Sequence, residues 1–499
     1  MNCSLPLHLT TACLLVYSCS GPAPRSAPRT PQKQSSVELN DIHSQLNPTP
    51  HLAVLAPQST AEIQAAIRDA KRRHHSISIS GGRHSMGGQQ FGAGTVNLSM
   101  SRYNHVIALD SDTGIVEVQS GIQWPELVAW LVKHQSGSKT QWGIRQKQTG
   151  ADRLSIGGAL SSNIHGRGLK MRPMIDDVES FTLINANGEL MTCSRTENQD
   201  LFRLVIGGYG LFGVIDTVKV RLSEVQILER VVQIIDVKEF VPLVTARIRD
   251  GFIYGDFQFA IDPASDDFMQ RGIYSLYKPV NTDGDVSGES RELKGDDWYR
   301  LLGLAHTDKS RAFDIYSKFY LATHGQRYRS DTHQMGVYVD DYHLKFDKGT
   351  KASEMISEVY VPRAKLPILF RQLRDDFRKN GTNVVYGTVR LIEKDTESFL
   401  AWAKQDYAAT VFNFHVEHTP AGIDKAKQQF QHIIDRALEH GGSYFLTYHR
   451  WARRDQVLKA YPQMPEFLRL KRKYDPDERF QSDWYRHYRD MLADLDPAS

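Results

Sequence analysis

Three glycine-rich segments most constrain the fold of this 499-residue chain. They are SGGRHSMGGQ (80–89), RLSIGGALSSNIHGRG (153–168) and LVIGGYGLFGVID (204–216). Glycine accepts positive φ and lets backbone N–H groups converge on electron-rich groups such as phosphate. None of the segments follows the strand, GxGxxG, helix order with a later acidic residue that a Rossmann site requires. Three such loops, with Ser155, Ser161 and Ser162 beside them, predict an extended ligand, and a dinucleotide with a pyrophosphate would fit.

The overall charge argues against general nucleic-acid binding, because 61 Lys+Arg and 58 Asp+Glu leave a net charge of only +3. The cysteines also restrict the possibilities. Three lie within the first twenty residues, at Cys3, Cys13 and Cys19, and only Cys193 lies in the body. The body therefore has no internal disulfide framework and no cysteine-based zinc site, and we predict no metal ligands.

The amino end resembles an export segment. LPLHLTTACLLVYSC is short and mostly apolar, and VYSC before SG resembles a bacterial lipoprotein cleavage box with Cys19 as the lipidated residue. Two features depart from that pattern, since Tyr17 is bulky and the start lacks Lys or Arg; a disordered extension is the alternative. We expect an export segment over 1–20, a flexible linker over 21–46 rich in Pro, Ser and Gln, and a periplasmic or membrane-anchored lipoprotein with a membrane tether through Cys19.

The remaining sequence predicts an α+β fold. A helix over 55–72 has capping-box spacing at Ser59 and Glu62, and SISIS (76–80) alternates like a strand with its isoleucines inward. Turns at 112–114 and at Asn187-Gly188 each join two strands, and a second amphipathic helix covers 124–134. The later half mixes strands (255–262, 409–418) with helices (424–442, 464–474), and 281–297 reads as a polar surface loop.

The order of these motifs resembles the FAD-linked oxidases and dehydrogenases with a vanillyl-alcohol-oxidase (PCMH)-type flavin domain. PQSTAEIQAAIRDA precedes GGRHSMGGQ, then SIGGALSSNIHGRG, then GYGLFGVI, and the tail KRKYDPDERFQSDWYRH is similar to the closing segment of that family. The resemblance implies a two-subdomain FAD-binding domain over 47–223, an α+β substrate domain over 224–440, and a C-terminal segment over 441–499 that returns to the flavin.

The resemblance also implies the cofactor residues. In many members a histidine at the His84 position is bonded to the flavin 8α-methyl carbon; noncovalent FAD with a packed His84 is the alternative. KQTGADRLSIGG lacks the cysteine that makes a second link in some relatives, so a single attachment is expected. The other residues carried over as cofactor-binding are Gly81, Gly82, Arg83, Ser85, Gln89, Ser155, Gly158, Ser161, Ser162, His165, Val214 and Ile215.

Substrate residues depart from both templates that the tail resembles. Aldonolactone and alditol oxidases carry a His-Trp-x-Lys-like segment, and oxidases of polyprenyl-phosphate-linked ribose carry a lysine, whereas this chain has Tyr448, His449 and Trp451 without that lysine. We predict His449 as the base, since an imidazole accepts a proton near neutral pH; structural packing is its alternative. Arg390 matches the arginine of a Glu-x-Arg stretch in which Thr388 replaces the glutamate.

His415 and Glu417 share one face of a strand and would orient a hydroxyl or form a buried pair. The predicted function is therefore transfer of a hydride from an alcohol carbon of a sugar, polyol or aldonolactone to FAD, with oxygen, a quinone or a cytochrome as electron acceptor. The alternatives are oxidation of a lipid-linked sugar with noncovalent FAD, and a tethered binding protein without turnover.

Overall fold

The structure is a computed structural model that describes residues 36–281, 291–336 and 349–495. The predicted export segment with Cys19, the linker up to residue 35 and positions 282–290 of the predicted surface loop lie outside the described residues. Within the described ranges, no helix combines the length and the apolar character needed to cross a membrane.

The described residues form helices and strands in a mixed order. Helices α1 to α12 are Thr60–Arg72, Trp124–His134, Ile156–Ser162, Gln199–Val205, Val237–Arg249, Gly295–Thr307, Lys309–Leu321, Leu366–Asn380, Pro420–Glu439, Arg454–Ala460, Met464–Tyr474 and Asp483–Met491. Strands β1 to β20 are Val37–Leu39, Thr49–His51, Ala53–Leu55, Ile77–Ser80, Val96–Ser99, Val106–Asp110, Ile115–Gln119, Trp142–Gly143, Val178–Ile184, Leu190–Ser194, Val214–Arg221, Ser223–Glu224, Ile227–Asp236, Tyr254–Phe259, Arg271–Pro279, Arg327–Arg329, Ala352–Pro362, Val384–Ile392, Tyr407–Glu417 and Ser443–Tyr444.

Of the five sheets in the described residues, three have more than two strands. A parallel sheet has the order β3-β5-β4, and an antiparallel sheet has the order β10-β9-β11-β7-β6. The largest sheet, of order β16-β13-β15-β14-β18-β19-β17-β20, is built by residues 227–444. The expected mixture of helix and sheet is confirmed; the division into subdomains and the three domain boundaries stay predictions.

Several local predictions are confirmed by the structure. Ser59 caps α1, and its side chain accepts a hydrogen bond from the backbone N–H of Glu62. Both predicted strand pairs form, β6 with β7 and β9 with β10. Helix α11 ends before Asp475-Pro476, because proline cannot continue a helix and disfavours helical backbone in the residue before it.

The strand SISIS is buried on both faces, which corrects the expectation that only its isoleucines point inward. Ile77 is fully buried and Ile79 is half-buried, while Ser78 and Ser80 are buried as well. The serine hydroxyls are satisfied by Thr95 and Asn97 on the neighbouring chain segments. A parallel strand covered on both sides loses the alternation that a half-exposed strand shows.

Residues 36–46 are packed rather than a flexible linker, which corrects that part of the prediction. Strand β1 pairs with β2, and the buried Asp41 carboxylate accepts hydrogen bonds from the Ser44 hydroxyl and the Asn47 amide at 2.9 Å each. A buried carboxylate with several donors fixes the chain locally. The ordered body therefore includes this segment.

The C-terminal residues return to the parallel sheet. The Ile77 N–H donates to the Arg479 carbonyl at 2.6 Å, and the Gln481 N–H donates to the Ile77 carbonyl at 2.8 Å. Asp475 holds this segment in place, because its carboxylate accepts from the backbone N–H groups of Arg479 and Phe480. The tail thus lies beside the first glycine-rich loop, which follows β4.

Candidate functional site

The glycine-rich loops enclose a small cavity of about 80 Å³. The first loop follows β4, the second leads into α3 with Ser155 as its N-cap, and the third precedes β11. Residues from all three loops line the cavity: Gly81, Gly82, Arg83, His84, Ser85, Gln89, Gln90, Ser155, Gly157, Gly158, Ser161, Ser162, Tyr209, Gly210 and Gly213, with Ile215 from β11.

Two glycines let the first loop touch the second. A Cβ placed on Gly81 would lie 2.0 Å from the Ser155 Oγ, and one on Gly82 would lie 2.2 Å from the Arg153 carbonyl oxygen. Real Cβ atoms do not approach other atoms so closely. Only glycine therefore permits this spacing of the loops, which is why the sequence carries Gly-Gly directly before Arg83 and His84.

The wall of the small cavity carries polar atoms suited to a polar ligand. Among the described residues, Gln89 Oε1, Gln90 Oε1 and Ser120 Oγ are buried without a hydrogen-bond partner, and all three residues line the cavity. The Gln89 amide nitrogen is held by the Thr447 carbonyl oxygen at 2.8 Å. Since buried polar groups in folded proteins nearly always find partners, these atoms mark a ligand site.

His84 lies in the wall common to the small cavity and a second, larger one. Ser85, Leu154 and Ser162 also line both, so the two spaces adjoin. Burial, together with the nearby His43, Arg153 and Arg83, lowers the pKa of His84 to about 3. The imidazole is therefore neutral at physiological pH and keeps a ring-nitrogen lone pair.

The larger cavity has a volume of about 670 Å³. Its floor is one face of the largest sheet, and the antiparallel register shows which residues share that face. Thr388 is opposite Val411, which is opposite Glu358; in the next row Tyr386 is opposite Asn413, which is opposite Ile356. The next pair along the same face of β17 and β19 is Glu354 with His415. Cross-strand partners point to the same side of a sheet, so polar side chains follow one another beneath the cavity.

Glu358 joins a buried hydrogen-bonded group beside the cavity. Its Oε1 contacts His165 Nε2, and its Oε2 accepts from the Tyr448 hydroxyl at 3.1 Å. His165 Nδ1 lies 3.0 Å from the Gly166 carbonyl oxygen, so both ring nitrogens face acceptors. Burial alone would raise the pKa of Glu358, but His165, Arg390 and Tyr448 together hold it below its usual range. The group is therefore a charged carboxylate in contact with an imidazole and a phenol.

Tyr448 presents this group to the cavity, because it lines the cavity itself. Burial and the Glu358 carboxylate raise the pKa of Tyr448 well above 10, so the phenol is neutral. Arg390 also lines the cavity and is only 3% exposed. Among the described residues its Nε and Nη1 have no hydrogen-bond partner. A buried guanidinium with unused donors is poised to bind an electron-rich group.

The other end of the cavity combines cations with aromatic rings. The guanidinium groups of Arg167 and Arg230 lie 4.9 and 5.0 Å from the centre of the Tyr277 ring. Arg167 Nη1 is 3.9 Å from the Asp256 carboxylate, and Arg230 also faces Tyr328 at 4.7 Å. Cation–π contacts hold both arginines in place, so this end is rigid and polar.

Most of the predicted cofactor residues line the small cavity, but two do not. Val214 packs its side chain into a separate core cluster, while its neighbour Ile215 reaches the cavity. His165 lies behind the wall and supports Glu358 instead.

Three of the five predicted catalytic residues also lie elsewhere. His449 lines neither cavity; it is stacked on Trp451 at 4.1 Å, and burial lowers its pKa to about 3. Its role as a base stays a prediction, while the adjacent Tyr448 lines the large cavity. His415 pairs with Glu354 at 2.9 Å, and Glu417 is exposed at the strand end, so these two do not pair with each other.

Residues 51–194 match the family model of the FAD binding domain. The chain contains an FAD-binding domain. The resemblance drawn from the glycine-rich motifs is thereby confirmed, and the cofactor is FAD. The residues of the three loops that line the small, polar cavity would hold part of an extended dinucleotide of this kind, which would reach the adjoining large cavity.

Curated proteins with similar sequences include oxidases and dehydrogenases. The chain is 33% identical over 170 residues to an uncharacterized oxidoreductase, ORF5 in the fasciation locus of Rhodococcoides fascians, covering 34% of this chain and 37% of that protein. It is 28% identical over 206 residues to cytokinin dehydrogenase 5 of Oryza sativa subsp. japonica, covering 38% of each. It is 28% identical over 163 residues to L-gulonolactone oxidase of Mus musculus, covering 32% and 35%. The chain thus spans a little over a third of the length of these relatives.

Proposed function

We propose that this protein is an FAD-dependent oxidoreductase that oxidises an alcohol carbon of a sugar, polyol or aldonolactone, with FAD linked through His84. One observation carries the proposal: His84 lies in the wall shared by the glycine-lined cavity and the larger charged cavity. A ligand held by the loops would thus meet both the imidazole and the substrate space.

The neutral imidazole of His84 supports a covalent link. Burial and the neighbouring cations keep the imidazole neutral at physiological pH, so one ring nitrogen carries no proton, and only such a nitrogen is nucleophilic. The backbone on either side is fixed, because Gly82 contacts Arg153 and the Met86 N–H donates to the Thr447 carbonyl. His84 is therefore held at one place in the wall.

When bound, FAD supplies an acceptor for a hydride from a C–H bond. The chain must then accept the hydroxyl proton of an alcohol. The Tyr448 oxygen accepts a hydrogen bond from that hydroxyl while its own proton is donated to Glu358. As the hydride leaves the carbon, the proton passes to Tyr448 and the phenol proton passes to Glu358, so charge is balanced. Arg390 binds the substrate oxygen on which negative charge develops.

A polar substrate is supported by the contents of the large cavity. Arg167, Asp256, Gln258 and Arg390 all line it, and a sugar or polyol offers several hydroxyls that donate to carboxylates and accept from guanidinium groups. Two relatives carry aldonolactone substrates in their names, L-gulonolactone oxidase and a D-arabinono-1,4-lactone oxidase of Neurospora crassa. The alternatives, a lipid-linked sugar with noncovalent FAD or binding without turnover, predict different results in one experiment.

The experiment measures anaerobic bleaching of the visible flavin band with sugars, polyols, aldonolactones and a lipid-linked sugar, together with the mass of the His84 peptide. We expect bleaching by a water-soluble polyhydroxy compound, and a mass increase of one FAD that His84→Ala abolishes. Tyr448→Phe should slow bleaching by about 10²-fold or more, the usual size of an acid–base contribution. Tyr444→Phe is the matched control, because Tyr444 is a buried tyrosine that lines neither cavity.

Each outcome separates the proposals. Bleaching by the lipid-linked sugar alone, with no added mass on the His84 peptide, would favour the second enzyme. A stable flavin that none of these compounds reduces would favour the binding protein. Equal rates in Tyr448→Phe and Tyr444→Phe would remove Tyr448 from the proton route.

A further inference from the structure

His306, Glu354 and His415 form a cluster at one edge of the large cavity, apart from the His84 wall. The three side chains come from α6, β17 and β19, and their potential ligand atoms all lie within 4.8 Å of one another. We propose that this cluster binds a Zn²⁺ ion. The inference does not depend on the flavin chemistry, since it rests on these three side chains alone.

The distances fit a metal-binding arrangement. Glu354 Oε1 lies 2.9 Å from His415 Nδ1 and 3.4 Å from His306 Nε2. In a tetrahedral site with bonds of about 2.1 Å, ligand atoms lie roughly 3.4 Å apart. The two imidazole rings are 4.8 Å apart and nearly perpendicular, at 82°. Small side-chain movements would thus place all three groups around one ion.

The carboxylate of Glu354 is the second indication of a ligand. Its side chain is 9% exposed, and its Oε2 is buried without a hydrogen-bond partner among the described residues. Both imidazoles approach the same oxygen, Oε1, and leave Oε2 unused. An ionised carboxylate oxygen that is buried and unpaired is costly, and a bound cation would remove that cost.

Neighbouring groups permit the ion. Lys309 is a cation near Glu354, but its ammonium is held by the backbone carbonyls of Ala305 and Val384. Glu354 and His415 are directly opposite on the paired strands, so the sheet fixes two of the three ligands. His306 comes from the last turn of α6. Two ligands on a rigid sheet and one on a covering helix form a pre-organised site.

Two imidazoles and one carboxylate are a typical ligand set for Zn²⁺, and three protein ligands leave a fourth position open. Glu354 is also a lining residue of the large cavity. The open position of the ion is therefore available to an oxygen atom of a small molecule in the cavity.

The test uses the holoprotein, stripped of metal with a chelator and then dialysed against ZnCl₂. Bound zinc is measured by mass spectrometry, and affinity by calorimetry. We expect the unmodified chain to bind one equivalent more than Glu354→Gln or His306→Gln, with an affinity loss of about 10²-fold or more. Zn²⁺ should also raise the melting temperature of the unmodified chain and not that of the two variants.

His432→Gln is the matched control. His432 Nε2 also contacts a carboxylate, Asp376, at 2.8 Å, but within the described residues this pair has no third His, Cys, Asp or Glu ligand atom close enough to complete a metal site. This variant should keep the extra equivalent of zinc. The flavin band and melting temperature without metal show whether each variant is folded, and two variants on different elements guard against the failure of one. Equal zinc binding by folded Glu354→Gln, His306→Gln, His432→Gln and the unmodified chain would overturn the proposal.

Discussion

Replacing Gly82 with alanine tests the geometry on which the flavin site depends. The new Cβ would lie 2.2 Å from the Arg153 carbonyl oxygen and 3.2 Å from His84 Cδ2. To reach an ordinary contact of 3.4 Å, the two loops must separate by about 1.2 Å. The obstacle is a backbone carbonyl, so rotation of a side chain cannot relieve the clash.

The size of the effect follows from the same contact. Overpacking of this kind costs about 1–3 kcal/mol, and the rigid backbone places Gly82→Ala near the upper end. If the loops open to relieve the strain, the binding free energy of FAD is reduced by the same amount. A reduction of about 3 kcal/mol corresponds to roughly 10²-fold weaker binding. Because His84 moves with Gly82, the fraction of FAD bonded to His84 under the proposed function should fall as well.

Flavin content per protein, read from the visible band after purification and after reconstitution with FAD, measures the effect. Gly295→Ala is the control, since a Cβ there meets no atom within 4 Å and the residue begins α6. The control should keep its flavin content and its melting temperature within the range of the unmodified chain. Full flavin occupancy in Gly82→Ala, with an unchanged His84 peptide mass, would show that the described loop contact does not govern the site.

Three further predictions concern buried titratable groups. Glu358→Ala should reduce the free energy of unfolding by about 3 kcal/mol, because it removes the buried oxygens that His165 and Tyr448 contact; Glu358→Gln keeps one such oxygen and should cost less in urea titrations, and equal losses would contradict the hydrogen-bonding role of Glu358. The pKa of His449 is 6.5 in the unfolded chain but about 3 in the folded protein. Its contribution to the free energy of unfolding is therefore complete above pH 6.5 and is lost as the pH falls towards 3, at about 1.4 kcal/mol per pH unit. His449→Gln should reduce this dependence of the free energy of unfolding on pH, and an unchanged dependence would refute the assignment. Cys193 is fully buried, and burial with the nearby Glu197 raises the pKa of its thiol to about 12, so alkylation of its peptide by iodoacetamide, read by mass spectrometry, should occur only on unfolding, and rapid labelling of the folded protein would oppose this.

The flavin side of the site was predictable because its information is local. The glycines of each segment indicate a tight turn from the local sequence alone, and the order of the three segments along the chain produces the family resemblance. His84 could be chosen because it stands within the first of them. Val214 and His165 belong to these segments but do not line the small cavity. The motif indicates which segment reaches the ligand, whereas a one-residue step along a strand reverses the side-chain direction. Ile215 therefore lines the cavity and Val214 does not.

The substrate side was less predictable because it depends on pairing between distant strands. The sequence predicts both Tyr448 and His449 as catalytic residues, and the proton affinity of an imidazole favours His449 as the base. In the structure His449 is buried and stacked on Trp451, whereas Tyr448 lines the large cavity, and burial depends on the packing of distant segments. The sequence does not indicate the cluster of His306, Glu354 and His415, because the three residues lie far apart along the chain on separate elements. The strand register that places Glu354 opposite His415 appears only in the folded sheet.

Glu358 shows how a missing residue can be replaced across a sheet. The Glu-x-Arg pattern has threonine at position 388, so the sequence indicated a site without its carboxylate. In the structure Thr388 is opposite Val411 on β19, and Val411 is opposite Glu358 on β17. Strands lie about 4.8 Å apart, so this carboxylate is displaced by roughly 10 Å along the same row of the sheet. At that position the Glu358 carboxylate accepts a hydrogen bond from Tyr448, which belongs to the C-terminal segment and lines the large cavity. Under the proposed function, a chain without the glutamate beside Arg390 and without the lysine in its tail would still have a carboxylate and a proton-carrying group, because Glu358 and Tyr448 are hydrogen-bonded to each other.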